Sequence, residues 1–304
     1  MKLKLGIALG SGAARGWSHI GLLDALAERG LHPTVVAGAS VGSLVGAAYA
    51  GGQLDQLRDW VLELRRLDIF RMMDARLRGG GIMTGDRLMD TIADQLDDRD
   101  IEELPLKFGA VATDLASGRE IWLRDGPLID AVRASSGLPG LFAPMRYRDS
   151  WVIDGGVVNP VPVSLCRALG ADLVIAVNLN AQLVTRRRRR ANEPSGEESD
   201  SEDASQFERI AERISGWLTP ARRDGAVAPG ILDVVGTSIN IMQDRITRSR
   251  MVGEPPELII TPRLEDFQLM DFHRGKDAMR AGRDAVEQAG DRLDLIAQQI
   301  HGTP

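Results

Sequence analysis

The pentapeptide at residues 38–42 reads Gly-Ala-Ser-Val-Gly, which is a Gly-x-Ser-x-Gly pattern. It follows the β-branched run "TVVA" and precedes a helical pattern rich in small residues. A strand-to-helix turn of this kind holds its serine in a strained conformation, with the hydroxyl exposed at the carboxyl edge of a sheet. Gly38 and Gly42 permit such a turn because they have no side chain. The segment therefore predicts that Ser40 is a hydrolase nucleophile.

The proton acceptor for Ser40 is not obviously a histidine. The chain has four histidines, and the ones that follow Asp154 are His273 and His301, in or near an amphipathic C-terminal segment. We interpret both as surface or helix-packing residues. The serine motif also comes too early for an α/β-hydrolase, in which several strands precede it. Another group must therefore take the proton.

Asp154 is the candidate base. It ends the apolar run "WVI" and is followed by two glycines that allow a sharp turn. Loops at the carboxyl edge of a parallel sheet converge on the ligand crevice, and partial burial raises the pKa of a carboxylate towards the range where it can accept a serine proton. A solvated aspartate in an Asp-Gly turn is the alternative.

A glycine-rich loop, "GSGAARG" at residues 10–16, joins the first predicted strand to the first predicted helix. Consecutive backbone N–H groups at such a position can stabilise a developing oxyanion if the side chains are small. We predict Gly12 and Ala13 as the donors and expect Arg15 to fix the loop or add positive potential. Two alternatives remain open. One is a structural tight turn, and the other is a dinucleotide-binding turn, although the second strand ends without the acidic residue that holds a ribose.

Composition limits the function classes. The chain has 304 residues, 43% of them hydrophobic, and a formal charge of −6, which argues against general affinity for nucleic acids. Cys166 is the single cysteine, so an intramolecular disulfide or a cysteine-based zinc site cannot form, and we interpret it as a core residue. The N-terminal apolar run predicts a strand rather than a signal peptide, and no apolar stretch reaches the roughly 18 residues that span a bilayer. We expect a cytoplasmic protein.

Apolar periodicity predicts alternating strands and helices, and hence an α/β fold whose parallel sheet carries helices on both faces. Strands are predicted near 3–9, 34–38, 107–113, 119–124, 172–178 and 257–261. Helices are predicted at 16–29, 42–50, 54–66, 85–96, 127–135, 162–169, 231–250 and 273–300. Residues 70–84 mix methionines, arginines and glycines, which indicates either a mobile segment over the site or a plain connection between helices.

Residues 184–206 differ in composition from the rest of the chain. Five consecutive arginines precede a tract rich in serine and acidic residues that has almost nothing apolar. Such a segment cannot bury enough surface to offset its conformational entropy. We predict a disordered insertion within a single domain that spans 1–304. The arginine run indicates either binding to anionic lipid or nucleic acid, or a solvated loop neutralised by the neighbouring acids.

The segments "GSGAARG", "GASVG" and "DGG", in this order, resemble the patatin-like phospholipases, which are serine lipid hydrolases with a Ser-Asp dyad. The chain is most similar to their bacterial branch, which is related to the catalytic part of neuropathy target esterase. Two further blocks, "ASSGLPGLFAPM" at 134–145 and "LMDFHRGKDAMRAGRDA" near the C-terminus, are similar to blocks of that branch. The resemblance covers nearly the whole chain except the insertion.

The resemblance implies a three-layer α/β/α fold with a mainly parallel central sheet. It implies that Ser40 is the nucleophile, that Asp154 is the base, and that the amides of Gly12 and Ala13 form the oxyanion hole, with Arg15 as the basic residue of that loop. It implies a mechanism without a metal or another cofactor.

The implied substrate is a lipid or another acyl ester, with peripheral contact at the inner face of the membrane and no nucleic-acid partner. The alternative is a catalytically inactive module of the same fold that binds lipid or a partner. The chain departs from the usual Gly-Gly-Gly of the loop at Ser11 and Ala13, and these side chains are expected to narrow the range of acyl groups. The sequence predicts neither the head group, the acyl position nor the oligomeric state.

Overall fold

The structure is a computed structural model that describes residues 3–72, 81–83, 86–181, 222–223, 226–227 and 231–302. The strands are β1 (Leu5–Leu9), β2 (Val35–Ala39), β3 (Gly81–Met83), β4 (Lys107–Asp114), β5 (Glu120–Leu123), β6 (Gly140–Phe142), β7 (Met145–Tyr147), β8 (Ser150–Asp154), β9 (Leu173–Val177), β10 (Arg222–Arg223), β11 (Ala226–Val227) and β12 (Leu258–Ile260). The α-helices are α1 (Ser18–Glu28), α2 (Val41–Gly51), α3 (Leu54–Glu63), α4 (Arg66–Met72), α5 (Asp86–Ala93), α6 (Leu128–Ser135), α7 (Val163–Ala168), α8 (Ile231–Gly253), α9 (Gly275–Gln288) and α10 (Gly290–His301).

The central sheet has eight strands in the order β12-β9-β1-β2-β4-β8-β7, with β5 paired to β4. The five strands from β12 to β4 are parallel, whereas β5, β7 and β8 run antiparallel to their neighbours. This arrangement confirms the mainly parallel sheet of the predicted α/β/α fold.

Alternate residues of the central strands belong to two separate hydrophobic clusters, because successive side chains of a strand point to opposite faces. One cluster contains residues of α1, α2, α3, α9 and α10 together with Ile7, Leu9, Val36, Ile175 and Val177. The other contains residues of α7 together with Ala8, Val35, Ala37, Val174 and Ala176. Since both faces are covered, the strands are apolar throughout. Cys166 lies fully buried in the second cluster, which confirms its interpretation as a core residue.

The helix predicted at 273–300 is two helices that meet at Ala289, and the helix predicted at 54–66 ends at Glu63. The first of the two C-terminal helices, α9, packs unusually close to α1. A Cβ on Gly21 would lie 2.0 Å from the carbonyl oxygen of Met279, and one on Gly282 would lie 2.0 Å from that of Ser18. Glycine at both positions therefore allows the two helix backbones to touch.

Residues 70–72 belong to α4 and residues 81–83 form β3, so the alternative of a plain connection between helices at 70–84 is wrong, whereas a mobile segment over the site stays a prediction. Strand β3 pairs in parallel with β6, with Gly81 opposite Gly140 and Met83 opposite Phe142. Residues 73–80 and 84–85 lie outside the described residues, as does the predicted insertion at 184–206. Among the described residues, no helix is both long enough and apolar enough to cross a membrane.

Candidate active site

Ser40 lies at the sharp turn between β2 and α2. Its backbone angles are φ 56° and ψ −129°, a left-handed conformation that costs a non-glycine residue about 1–3 kcal/mol. The two glycines of the motif are required by close packing. A Cβ on Gly38 would lie 2.4 Å from the carbonyl oxygen of Gly42, and one on Gly42 would lie 2.2 Å from that of Leu9.

Two serine side chains hold this turn in place. The amide of Ser40 donates to Ser135 Oγ at 2.9 Å, and Ser43 Oγ donates to the Ser40 carbonyl at 2.6 Å. Neither serine was singled out from the sequence, although Ser135 lies in the block 134–145 that carried part of the family resemblance. These bonds stabilise the strained backbone that exposes the Ser40 hydroxyl.

The strand order brings Asp154 to Ser40. Ala39, the last residue of β2, pairs with Val111 of β4, and the next residue of β4, Ala112, pairs with Asp154 at the end of β8. Strand β5 pairs with one edge of β4 at residues 110–113. Strands β2 and β8 therefore both pair with the opposite edge of β4, where the last residue of β2 lies next to the last residue of β8. The carboxyl ends of two strands that are far apart in the chain therefore adjoin.

Asp154 is fully buried, so the alternative of a solvated aspartate is wrong. Its Oδ1 accepts from the amide of Gly156 at 2.7 Å, while Oδ2 has no hydrogen bond from any described residue. Burial raises the pKa of Asp154 to about 6, although hydrogen bonding with the Ser40 hydroxyl and the Gly156 amide lowers it. The Ser40 hydroxyl therefore lies close enough to the Asp154 carboxyl group to lower its pKa.

The turn after Asp154 also depends on a glycine. A Cβ on Gly155 would lie 2.0 Å from the carbonyl oxygen of Val111 in β4. Thr113 Oγ1 donates to the carbonyl oxygen of Asp154 at 2.8 Å, and the Asp154 amide donates to the carbonyl of Gly137 at 3.0 Å. The backbone that carries the carboxylate is thus fixed on both sides.

The glycine-rich loop leaves two amides unused. The amides of residues 10, 11, 14 and 15 donate to backbone carbonyls at 2.9–3.2 Å. Those of Gly12 and Ala13 have no acceptor among the described residues, and both residues line the same cavity as Ser40. The loop therefore presents two N–H groups to a molecule in that cavity.

Arg15 ties this loop to α8. Its side chain is buried, its Nε donates to the carbonyl of Gly12 at 3.0 Å, and its Nη2 donates to Asn240 Oδ1 at 3.0 Å. A buried guanidinium beside the two free amides adds positive potential to a region shielded from water. Asn240 was not identified from the sequence, because it is one polar residue in a long helix whose partner lies far away in the chain.

The cavity above Ser40 is mostly apolar. Counted with the open solvent at its mouth, it has a volume of about 1050 Å³. Its apolar wall includes Trp17, Trp60, Phe142, Ile239, Leu269 and Phe272. Trp17 packs edge-on against Trp60 and Phe272, with ring centroids 6.1 and 5.9 Å apart. A cavity with such walls and a few polar groups at one end suits a long acyl chain with a polar end.

Two of the histidines take other roles. His273 Nε2 accepts from Arg66 Nε at 3.2 Å. His19 is fully buried in α1, where its Nε2 lies 2.8 Å from the carbonyl oxygen of Gly10, and burial lowers its pKa to about 4. Neither forms a hydrogen bond with Ser40. No group of residues that could hold a metal ion occurs in the part of the chain that the structure describes.

The chain is similar to several known proteins. The family model for patatin-like phospholipases matches residues 7–167. An uncharacterized NTE family protein of Mycobacterium tuberculosis is 31% identical over 335 residues, which cover 96% of this chain and 92% of that protein. Patatin-like phospholipase domain-containing protein 6 of Homo sapiens is 33% identical over 185 residues, which are 59% of this chain and 13% of that protein. VipD from Legionella pneumophila, a solved structure, is 15% identical with a TM-score of 0.45 over 97% of this chain and 67% of that one.

Proposed function

The chain belongs to the patatin-like phospholipase family, and on this premise we propose that it hydrolyses acyl esters of phospholipids, lysophospholipids or related lipids through Ser40 and Asp154. One observation carries the proposal. The strained serine and a buried carboxyl group with a pKa of about 6 adjoin at the ends of β2 and β8, beside two unused amides.

Acylation begins when the Ser40 oxygen attacks the ester carbonyl carbon. Asp154 accepts the hydroxyl proton, which it can do because a carboxyl group with a pKa of about 6 is mostly ionised at neutral pH. The negative oxygen of the tetrahedral intermediate binds to the amides of Gly12 and Ala13, and one such donor is typically worth about 3 kcal/mol in other hydrolases. Asp154 then protonates the departing alcohol or lysophospholipid, which leaves an acyl-Ser40 ester.

Deacylation repeats these steps with water. The Asp154 carboxylate takes a proton from the attacking water, the bond between the acyl carbon and the Ser40 oxygen breaks, and the proton passes to Ser40. The free fatty acid is released. The apolar wall of the cavity favours lipid acyl chains over small acids, since burying each methylene group contributes about 0.8 kcal/mol.

The activity is tested with p-nitrophenyl acyl esters and a panel of phospholipids. Ser40→Ala and Asp154→Asn are expected to fold and to lose hydrolysis. Ser164→Ala and Asp277→Asn serve as matched controls, because Ser164 bonds Asn159 and Asp277 pairs with Arg280 on the surface. Turnover retained in either site variant would remove that residue from the mechanism. A fluorophosphonate probe that fails to label Ser40 in the unmodified protein would favour an inactive binding module instead.

We further propose that the exposed face of α8 contacts an anionic membrane surface. On one side this helix lines the cavity with Ile239 and Gln243. Away from the cavity it exposes the apolar side chains of Val234 and Ile241, at 49% and 45%. Val235 and Met242, at 37% and 54%, lie four residues before and three residues after Ile239, so they are exposed beside the cavity. The exposed residues Arg245 and Arg248 follow on the same face as Val234 and Ile241. Arg248 Nε is paired with Asp244 Oδ2 at 2.9 Å, and the positive charge of Arg245 complements anionic head groups.

Co-sedimentation with phosphatidylglycerol vesicles tests this surface. Ile241→Asp is expected to weaken vesicle binding about tenfold, because the side chain no longer enters the apolar layer. Leu295→Asp is the control, since Leu295 is 59% exposed on α10. Equal binding by both variants would contradict the proposal. Deletion of residues 186–203 tests separately whether the arginine run, which lies outside the described residues, contributes to binding.

A further inference from the structure

A polar cluster surrounds Gly156, beside the Asp154 carboxyl group, and the steps above do not use it. A Cβ on Gly156 would lie 2.6 Å from Gln243 Nε2, 2.7 Å from Ser11 Oγ and 2.9 Å from Asp154 Oδ1. Three polar atoms from three distant segments therefore converge on one point. Only glycine at this position lets Ser11 and Gln243 approach the carboxyl group so closely.

The Ser11 hydroxyl needs a partner. Ser11 is 2% exposed, and its Oγ has no hydrogen-bond partner among the described residues. Buried hydroxyl groups are almost always hydrogen-bonded, to protein or to water. Ser11 also lines the cavity together with Ser40 and Gln243, so this unpartnered hydroxyl belongs to a residue of the cavity wall. The geometry favours a ligand that can both donate and accept hydrogen bonds.

Gln243 is oriented as a donor. Asn180 Nδ2 donates to Gln243 Oε1 at 2.8 Å and also lies 3.5 Å from the carbonyl oxygen of Ser11. In this orientation Asn180 Nδ2 faces two acceptors, Gln243 Oε1 and the more distant carbonyl of Ser11, and Gln243 Oε1 is turned towards Asn180. Gln243 Nε2 consequently faces Gly156 and Asp154. Both amide side chains are buried, so these orientations are held by packing as well.

We propose that Ser11 and Gln243, together with Asp154, bind the water molecule that attacks the acyl-Ser40 ester. This inference rests on the proposed function. Gln243 Nε2 donates to the water oxygen, Ser11 Oγ exchanges a hydrogen bond with it, and the Asp154 carboxylate accepts the proton that the water loses. These three partners match the two to four hydrogen bonds that an ordered internal water makes.

The water oxygen forms a bond with the acyl carbon as its proton passes to Asp154. The bond between that carbon and the Ser40 oxygen then breaks, and the proton moves from Asp154 to Ser40. One ester and one water thus become one fatty acid and one free serine.

The test separates acylation from deacylation. Each protein is mixed with saturating p-nitrophenyl butyrate and quenched with acid, and intact mass gives the ratio of acylated to free enzyme. Ser11→Ala and Gln243→Met are expected to raise this ratio about tenfold, because each removes one hydrogen bond to the attacking water. Fluorophosphonate labelling of Ser40, which needs no water, is expected to stay within about twofold of the unmodified rate. Ser164→Ala is the matched control for both measurements.

If Ser11 and Gln243 only maintain the local structure, fluorophosphonate labelling and deacylation are expected to slow together in their variants. That result, or an unchanged ratio in both variants, would overturn the proposal. Hydroxylamine, a stronger nucleophile than water, is expected to release the acyl group equally fast from the variants and the unmodified protein. If Gln243→Met does not fold, as judged by far-UV circular dichroism, the ratio measured for Ser11→Ala alone tests the proposal. An unmodified protein that neither labels nor acylates would instead contradict the proposed function.

Discussion

Asp154→Asn is expected to abolish hydrolysis and, at neutral pH, to stabilise the protein. The variant replaces a fully buried carboxylate with a neutral amide of nearly the same shape. The amide oxygen can still accept from Gly156, and the new NH₂ group can donate to the Ser40 hydroxyl. The change therefore removes a buried charge while it keeps the local hydrogen bonds.

The size of the effect follows from the pKa. Burial raises the pKa of Asp154 from 3.8 to about 6, and each unit of difference between the folded and unfolded states corresponds to about 1.4 kcal/mol. The ionised carboxylate thus costs the folded protein about 3 kcal/mol. Because the pKa is higher in the folded state, this cost is fully present above about pH 6, decreases as the pH falls towards 3.8 and is absent below that value.

Urea denaturation of both proteins at pH 8 and at pH 4 measures the difference. At pH 8 the variant is expected to have a free energy of unfolding about 3 kcal/mol higher than the unmodified protein, and at pH 4 a nearly equal one. Asp277→Asn is the control, because Asp277 lies on the surface. A variant that is equally stable or less stable at pH 8 would refute the argument that Asp154 is held as a desolvated base.

Three further predictions follow from the same site. Ester hydrolysis is expected to fall about tenfold for each pH unit below 6, as the Asp154 carboxylate becomes protonated, and a pH profile of kcat/KM that stays flat down to pH 5 would contradict this. Gly38→Ala is expected to destabilise the protein by more than about 3 kcal/mol, because its Cβ would lie 2.4 Å from a backbone oxygen, and thermal unfolding of this variant measures the loss. Ile239→Trp is expected to fill the apolar cavity and shift the preference towards short acyl esters, and an unchanged ratio of kcat/KM between p-nitrophenyl butyrate and palmitate would argue that the acyl chain binds elsewhere.

The parts of the fold that local patterns determine were predictable. Short apolar runs bounded by glycine indicated the parallel strands, and the motif around Ser40 indicated a strand-to-helix turn, which the structure confirms with β2, α2 and a positive φ. The family resemblance drawn from three short motifs is confirmed by the family model and by the relatives. Glycines carried much of this information, because the close approaches at Gly38 and Gly42 tolerate no other residue.

The remaining features depend on contacts between distant segments. The end-to-end meeting of β2 and β8 arises from their shared pairing with β4, and no local pattern states which strands are neighbours. The break at Ala289 lies within a continuous amphipathic pattern. Asn240 and Gln243 are single polar residues of α8 whose partners, Arg15 and Asn180, become neighbours only in the folded protein. Strand β3 is three residues long and pairs with an equally short strand, so it has no periodicity to detect.

The most direct test of the central claim is the rate at which a fluorophosphonate labels Ser40 in the unmodified protein and in Asp154→Asn. The claim is that the Asp154 carboxylate, and no histidine, activates the serine. Labelling of the unmodified protein should rise with pH around an apparent pKa of about 6 and should be at least about a hundredfold slower in the variant, the typical loss when a general base is removed. Labelling of the variant at the unmodified rate would contradict the claim.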